Sequence, residues 1–376
     1  MPPVSLYVHV PFCVVKCGYC DFNSYRPDGE GALDRFLSAL ERELQQAAVP
    51  ERPVSVFLGG GTPSYLDEDR LVRLFMILSR YVDLHGCPEV TMEANPESLT
   101  ETKARIAFEH GVRRLSIGAQ SFDDAFLRLL DRAHDATAIA AAVGAARAAG
   151  FTNVNLDLIF ALPGQTLAQW QRDLDAALAL APDHLSCYSL TFEPGTRFTR
   201  DRDQGRLRPN DEATDRAMFV HTRARLAAAG FDAYEISNFA GRGGPCRHND
   251  HYWLQGDYVG VGPGASSHRQ GVRWTNLKAL EAWAAAVERG LPAAEAETLT
   301  PRQRAAEAVW LGLRRRDGVD LAAVAARTGV DPRVAFAAEV EGLADAGLVR
   351  LDGDRLALTD AGLLVADEVG ARILRA

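Results

Sequence analysis

Three cysteines crowd into eight residues near the start of this 376-residue chain: Cys13, Cys17 and Cys20, spaced Cys-x3-Cys-x2-Cys. Thiolates are soft ligands that suit zinc or iron–sulfur clusters. Structural zinc takes four ligands in a closed tetrahedron. Downstream of Cys20 the sequence runs Asp21-Phe22, with no fourth Cys or His close by. A four-iron cluster held by three thiolates keeps one iron open to an outside ligand, which suits a reactive centre better than an electron carrier. Two other readings stay open: a zinc site completed by His9, and three inert buried thiols.

Such a loop must be presented by a framework, and the first two hundred residues predict one. Candidate strands are Ser5–Val10, Val54–Leu58, Glu89–Ala94, Arg114–Ile117, Asn153–Phe160 and His184–Thr191. Between most of them lie stretches with helical spacing, such as Phe36, Leu37, Leu40 and Leu44, or Leu71, Leu74, Phe75 and Leu78. Gly111 and Gly150 fall where helices should end. Six β/α repeats imply a parallel α/β sheet. Six units are short of the eight in a closed barrel, so an open partial barrel and a doubly wound sheet both fit. Either way, chemistry belongs at the C-terminal strand ends. The cysteine loop follows strand one there, and Gly59-Gly60-Gly61-Thr62-Pro63 follows strand two. Glu93 ends strand three, Gln120 follows strand four, and Arg132 lies in the helix beyond it. Asp157 interrupts an apolar strand, where a charge must be paired or ligand-bound. A plain Arg132–Asp157 salt bridge is the simpler account.

The chain divides into residues 1–200, an α+β extension at 201–299 and a tail at 300–376. The extension reads as a polar linker (Asp201–Asn210), a helix near Ala213–Ala229, a strand at Phe231–Ile236, and a Gly-rich lead into Cys246-Arg247-His248-Asn249-Asp250-His251-Tyr252-Trp253. Thr300-Pro301 opens the tail as N-cap and N1. Helices at 320–328 and 332–346 and a hairpin around Asp352-Gly353-Asp354 make a helix-turn-helix with a wing. Its second helix carries Arg333 against Asp331, Glu339, Glu341 and Asp345, a poor match for phosphate. A packing or lid module is the expectation, rather than DNA binding.

Composition narrows the class. Forty-one Lys and Arg against fifty Asp and Glu leave a net charge of −9, with 47% apolar residues. Whole-chain disorder and disulfide scaffolds are excluded, and no nucleic-acid partner is expected. Only six cysteines occur, three of them in one loop, which points to the cytoplasm. Cys87 and Cys187 read as buried thiols. Residues 1–12 lack a signal peptide's basic start, and no apolar run reaches the ~18 residues of a membrane span. Peripheral membrane contact is not indicated.

The cysteine spacing, with Tyr19 just before Cys20, resembles the signature of the radical S-adenosylmethionine (SAM) superfamily. Over most of residues 4–290 the chain is similar to the subgroup of oxygen-independent coproporphyrinogen III dehydrogenase. The resemblance implies a partial (β/α)6 barrel with a winged-helix-like C-terminal module. It implies a [4Fe–4S] cluster on Cys13, Cys17 and Cys20, with SAM chelating the open iron through its amino and carboxylate groups. An electron from the cluster would cleave SAM to methionine and a 5′-deoxyadenosyl radical. Tyr7, Gly60, Gly61, Thr62, Glu93, Gln120, Arg132 and Asp157 match SAM-contacting positions, and Tyr19 belongs with the cofactor-binding residues.

Two departures separate the chain from the dehydrogenase. Phe22 stands where that enzyme has a fourth cysteine, and Tyr7 lies too near the start for the enzyme's N-terminal extension. Propionate decarboxylation is therefore not expected, and enzymatic activity is left open. His248-Asn249-Asp250-His251-Tyr252-Trp253 resembles the His-Asn-x-x-Tyr-Trp motif of HemW-type haem chaperones, as does Cys20-Asp21-Phe22-Asn23-Ser24 their cluster loop. The resemblance implies haem held near that motif and passed to an acceptor protein. His248 is the first choice of iron ligand, with Cys246 and His251 as alternatives. A hydrogen-bonded histidine beside a packed tryptophan is the bland account. Coproporphyrinogen III dehydrogenase and a radical SAM methyltransferase are the rival functions.

Overall fold

Six parallel strands follow one another across the sheet in sequence order: β1 (Val4–Val10), β2 (Val56–Gly60), β3 (Val90–Ala94), β4 (Arg114–Gln120), β5 (Asn153–Phe160) and β6 (His184–Ser189). The computed structural model describes residues 3–29, 31–290 and 292–375. Helices between the strands cover one face of the sheet. Leu6, Val8, Leu58, Met92, Ile117, Leu156 and Leu158 are fully buried there with Phe36, Phe75 and Trp170. The alternate residues of each strand point to the other face, as the two-residue pleat requires. On that inner face stand Ser5, Tyr7 and His9 of β1, Ser116 of β4, Asn155 and Asp157 of β5, and His184 and Ser186 of β6. They hydrogen-bond to one another and to neighbouring side chains. The partial barrel thus has an apolar jacket and a polar interior.

The later strands enlarge the same sheet. They are β7 (Asp232–Ala233), β8 (Asn238–Ala240), β9 (Asp257–Val261), β10 (Ser266–Arg269), β11 (Val272–Asn276) and β12 (Ala293–Thr298). The order is β12-β11-β10-β9-β1-β2-β3-β4-β5-β6-β8-β7. β9 is a seventh parallel strand, in register with β1 from Val4↔Asp257 to Val8↔Val261. β8 adds antiparallel to β6. Residues 201–299 therefore share the sheet of residues 1–200.

Local differences from expectation have local causes. The predicted strand Phe231–Ile236 shrinks to the two residues of β7. The first part of the supposed linker Asp201–Asn210 completes a helix, Arg197–Asp203, capped by the Thr196 side chain on Thr199 N. The Cys246–Trp253 segment is also helical, over Arg247–Trp253.

The tail has its own core of Val309, Leu313, Leu321, Phe336, Leu343, Leu356 and Ile373. A capping box at Thr300 and Gln303 starts the helix Pro301–Leu313. The predicted helix at 332–346 breaks at Phe336, whose φ of −124° lets its ring turn into that core. β13 (Val319–Asp320), β14 (Val349–Asp352) and β15 (Arg355–Leu358) form the small winged sheet in the order β13-β15-β14. Among the described residues no helix is long and apolar enough to cross a membrane.

Candidate cofactor site

The C-terminal ends of the first two strands are bound to each other by backbone. After β1 the chain buries Phe12 completely and enters the cysteine loop, where Cys13 N donates to Tyr25 O at 3.2 Å. After β2, Gly61 N donates to Val10 O and Thr62 N to Phe12 O, each at 2.8 Å. Side chains would break this seam. Gly60 has φ of +100°, and a Cβ on it would lie 2.3 Å from the His9 ring. A Cβ on Gly61 would lie 2.7 Å from Phe12 N and Val10 O. Only glycine fits both positions.

One cavity of about 430 Å³ opens at these strand ends. Cys13, Cys17, Tyr19, Cys20, Gly60, Gly61, Thr62, Glu93, Gln120, Arg132 and Asp157 all line it. Neither Tyr7 nor His248 does. Gln120 adopts φ of +66° beside a register shift between β4 and β5, a left-handed conformation uncommon for a side chain of its size. Phe22, Val15 and Tyr188 expose 61%, 38% and 40% of their surface at the rim, so the mouth is apolar.

A polar chain joins two of the cysteines across the cavity wall. The Cys13 thiol lies 3.4 Å from Thr62 Oγ1, which accepts from Asn95 Nδ2 at 2.9 Å. Asn95 Oδ1 accepts from Arg132 Nη2 at 2.7 Å, and Arg132 Nη1 donates to Cys17 Sγ at 3.7 Å. Arg132 also donates to Gly118 O, while Asp157 accepts from Ser116 and Asn155. The simple Arg132–Asp157 salt bridge is not formed. Arg132 Nε is buried without a hydrogen-bond partner among the described residues, a donor left over for a ligand. Asn95 went unselected in the sequence because it lacks a charge; its place between Glu93 and a turn-forming proline was the available signal.

Electrostatics favour a cationic or amine-bearing guest. Burial, reinforced by the Asp157 carboxylate, pushes Glu93 up to about 8, although Gly60 N donates to its Oε2 at 3.1 Å. Burial pushes Cys20 up to about 11 and also raises Cys13. Thiols so placed become thiolates when a metal supplies the counter-charge.

The residues fit a cluster better than a single ion. His9 is fully engaged, with Nε2 2.8 Å from Asn23 O and Nδ1 3.0 Å from the Tyr7 hydroxyl, so it does not join the cysteines as a zinc ligand. Among the described residues no three His, Cys, Asp or Glu side chains converge on one point. A cube of irons asks for less convergence, since each thiolate meets its own corner. The three cysteines face one cavity with an open side.

His248 lies at the other end of the strands. Its ring is 1% exposed and stacks on Phe57 at 5.0 Å. Nδ1 is 2.8 Å from Ser55 Oγ and Nε2 is 3.0 Å from the Tyr252 hydroxyl. Burial pushes its titration down to about 3. The alternatives are equally occupied: Cys246 is fully buried against Glu89, and His251 Nε2 is 2.8 Å from Asp257 O. Glu89 caps this helix by accepting from Arg247 N and His248 N. On its outer side Asp250 pairs with Arg315 at 2.7 Å, and Arg314 lies 4.6 Å above Trp253. Both nitrogens of His248, the expected haem ligand, are thus occupied by protein partners in this structure. The motif plugs the N-terminal mouth of the barrel and fastens the tail to it. Tyr7 lies in the same interior, between Phe57 and His9.

Comparison with known proteins agrees with this geometry. The Radical SAM superfamily profile matches residues 7–177, and that of the HemN C-terminal domain matches residues 299–365. The protein named "Heme chaperone HemW" of Mycobacterium tuberculosis (strain ATCC 25618 / H37Rv) is 41% identical over 378 residues, covering 99% of this chain and 95% of that one. The protein of the same name from Bacillus subtilis (strain 168) is 35% identical, covering 97% of each. The solved structure of coproporphyrinogen III oxidase (HemN) from Escherichia coli, described as a radical SAM enzyme, superposes with a TM-score of 0.85 at 26% identity, covering 99% of this chain and 90% of that one.

Proposed function

The chain belongs to the HemW family of radical SAM proteins, and from that premise we propose that it is a haem chaperone, binding a [4Fe–4S] cluster, SAM and haem and passing haem to an acceptor protein. The carrying observation is the cavity itself: three half-buried cysteines face a glycine seam, Glu93, Gln120, Arg132 and Asp157. Cys13, Cys17 and Cys20 would hold the cluster. When bound, it supplies an electron and an open iron for SAM. Gly60 and Gly61 bring backbone close to the ligand's amino-acid end, where Glu93 accepts from its amino group. Asp157 and Gln120 serve its hydroxyls. Arg132 ties the Cys17 sulfur to Asn95 and so to the Cys13 side of the loop. Tyr19, whose ring packs 6.2 Å from Phe198, closes the cavity beneath the cluster loop.

Phe22 argues against the dehydrogenase reading, since it places an exposed ring at the mouth instead of a thiol. That ring, with Val15 and Tyr188, offers a flat macrocycle an apolar rim. The site of action would be the cytoplasm.

The test is anaerobic reconstitution with iron and sulfide, followed by haem titration and a dehydrogenase assay with reductant and SAM. Cluster absorbance that responds to SAM, a Soret shift on haem addition and no protoporphyrinogen are expected. Conversion of coproporphyrinogen III in proportion to SAM consumed would replace the chaperone by the dehydrogenase.

A further inference from the structure

The polar interior of the barrel contains a directed series of hydrogen bonds that ends on Asp157. Asp157 is half-buried, and among the described residues no Lys, Arg or His forms an ion pair with it. Its two oxygens accept from neutral donors: Oδ2 from Ser116 Oγ at 2.9 Å and Oδ1 from Asn155 Nδ2 at 2.8 Å. Asn155 Nδ2 also donates to Ser116 Oγ at 2.7 Å. Which way the Asn155 amide faces therefore decides whether Asp157 meets a donor or a repelling carbonyl oxygen.

The other end of that amide is set by His184. Its Nδ1 lies 2.7 Å from Asn155 Oδ1, and its Nε2 lies 3.0 Å from the Tyr234 hydroxyl. The Tyr234 oxygen accepts from Cys246 N at 3.2 Å, which leaves its proton for Nε2. Nδ1 then carries the imidazole proton and donates to Asn155 Oδ1, where Ser186 Oγ also donates at 3.2 Å. Arg114 Nη2 approaches Nδ1 at 3.4 Å and would prefer a lone pair there. The opposite tautomer would instead set that lone pair against Asn155 Oδ1 at 2.7 Å, so the shorter contact decides. Burial, with the Arg114 charge beside it, pushes His184 far below its ordinary range and keeps the ring neutral. Every donor in the series, from Cys246 N through Tyr234, His184 and Asn155, points toward Asp157.

We propose that His184 is a positioning residue for SAM binding: through Asn155 it locks the Asp157 carboxylate in the orientation that accepts from the ligand's hydroxyl groups. The proposal rests on the assignment of Asp157 to SAM made above. It also gives the base of the barrel a part in cofactor binding, because the series starts at Cys246, the residue that leads into the Arg247–Trp253 helix.

The test is anaerobic calorimetry on reconstituted protein with two probes: SAM, and methionine, which has the amino-acid end but no ribose. His184→Phe keeps the ring and removes both nitrogens. It is expected to weaken SAM about tenfold, the scale of one hydrogen bond to a charged group, while methionine affinity and cluster absorbance stay unchanged. Tyr234→Phe keeps the imidazole but frees its tautomer, and should weaken SAM about threefold. Asp157→Asn should weaken SAM but not methionine, whose binding stays unchanged or tightens because the charge that raises Glu93 is gone, and adding His184→Phe to it should cost nothing more, because His184 acts through Asp157. Unchanged SAM affinity in His184→Phe, additive losses in the double variant, or equal losses for methionine would overturn the proposal. Should His184→Phe not fold, Tyr234→Phe decides alone. If Asp157→Asn binds SAM normally, the assignment of Asp157 fails and the proposal with it. If Asp157→Asn loses SAM while His184→Phe does not, the assignment survives and only the role of His184 is refuted.

Discussion

Glu93 should make SAM binding depend on pH in a way that one substitution abolishes. Its carboxyl is enclosed at the end of β3, and burial plus the nearby Asp157 charge raise its titration to about 8. An ionised carboxylate accepts from the ligand's amino group far more strongly than the neutral acid does, so binding favours loss of the Glu93 proton and tightens as pH rises. With a midpoint of about 8, roughly a hundredth of the carboxyls are ionised at pH 6, a tenth at pH 7 and half at pH 8. Affinity should therefore rise about tenfold from pH 6 to 7, about fivefold from 7 to 8, and about twofold from 8 to 9. At pH 7 the penalty is about 1.4 kcal/mol. The amine of SAM titrates nearby, at about 7.7–8.0 by analogy with an α-amino group, but it does so equally for every variant. Glu93→Gln cannot ionise, so the ratio of wild-type to variant affinity isolates the Glu93 contribution. Calorimetric titration of reconstituted protein at four pH values would measure that ratio. A ratio that is flat from pH 6 to 8, or that falls, refutes the reasoning.

Two further outcomes follow from buried groups. His248→Ala leaves the Tyr252 hydroxyl without its partner, takes from Ser55 one of its two partners and opens a cavity at the barrel base, so unfolding in urea should show a loss of about 2–4 kcal/mol. Its Soret titration with haem should match wild type, and a lost Soret shift in a folded, cluster-loaded variant would restore His248 as ligand. Glu43 is buried and accepts from Gly262 N, Asn276 Nδ2 and Trp283 Nε1, with its titration raised to about 7. The folded state thus holds this proton more tightly than the unfolded chain. Stability from Glu43 is fully present below about pH 4.5 and is lost as pH rises to about 7, a total of about 3 kcal/mol. Glu43→Gln should flatten that part of the stability profile between pH 5 and 8, measured by urea midpoints; an unchanged slope would refute it.

What the sequence discloses depends on range. The cysteine loop, the glycine seam and the six β/α repeats are local, and each was legible: spacing revealed the thiols, and short Val- and Leu-rich runs revealed the strands. Asp157 stood out as a charge in an apolar strand. β9 did not, because its five residues contain Gly260 and its partner β1 lies some 250 residues earlier. The polar interior was also hidden: Ser116, Asn155 and His184 look like ordinary breaks in hydrophobic alternation until their strands are set side by side. The surroundings of the His248 segment were hidden for a different reason. Its residue types suit haem, but Ser55 and Glu89, which capture it, come from the starts of strands that no local pattern connects to it.

The pairing of β9 with β1 carries a consequence for synthesis. The second neighbour of β1, Asp257–Val261, leaves the ribosome some 250 residues after β1 itself. Until then one flank of β1 offers bare amides and carbonyls to any passing strand. A fragment stopped near residue 200 would keep that flank permanently, so it should aggregate instead of behaving as a free-standing module.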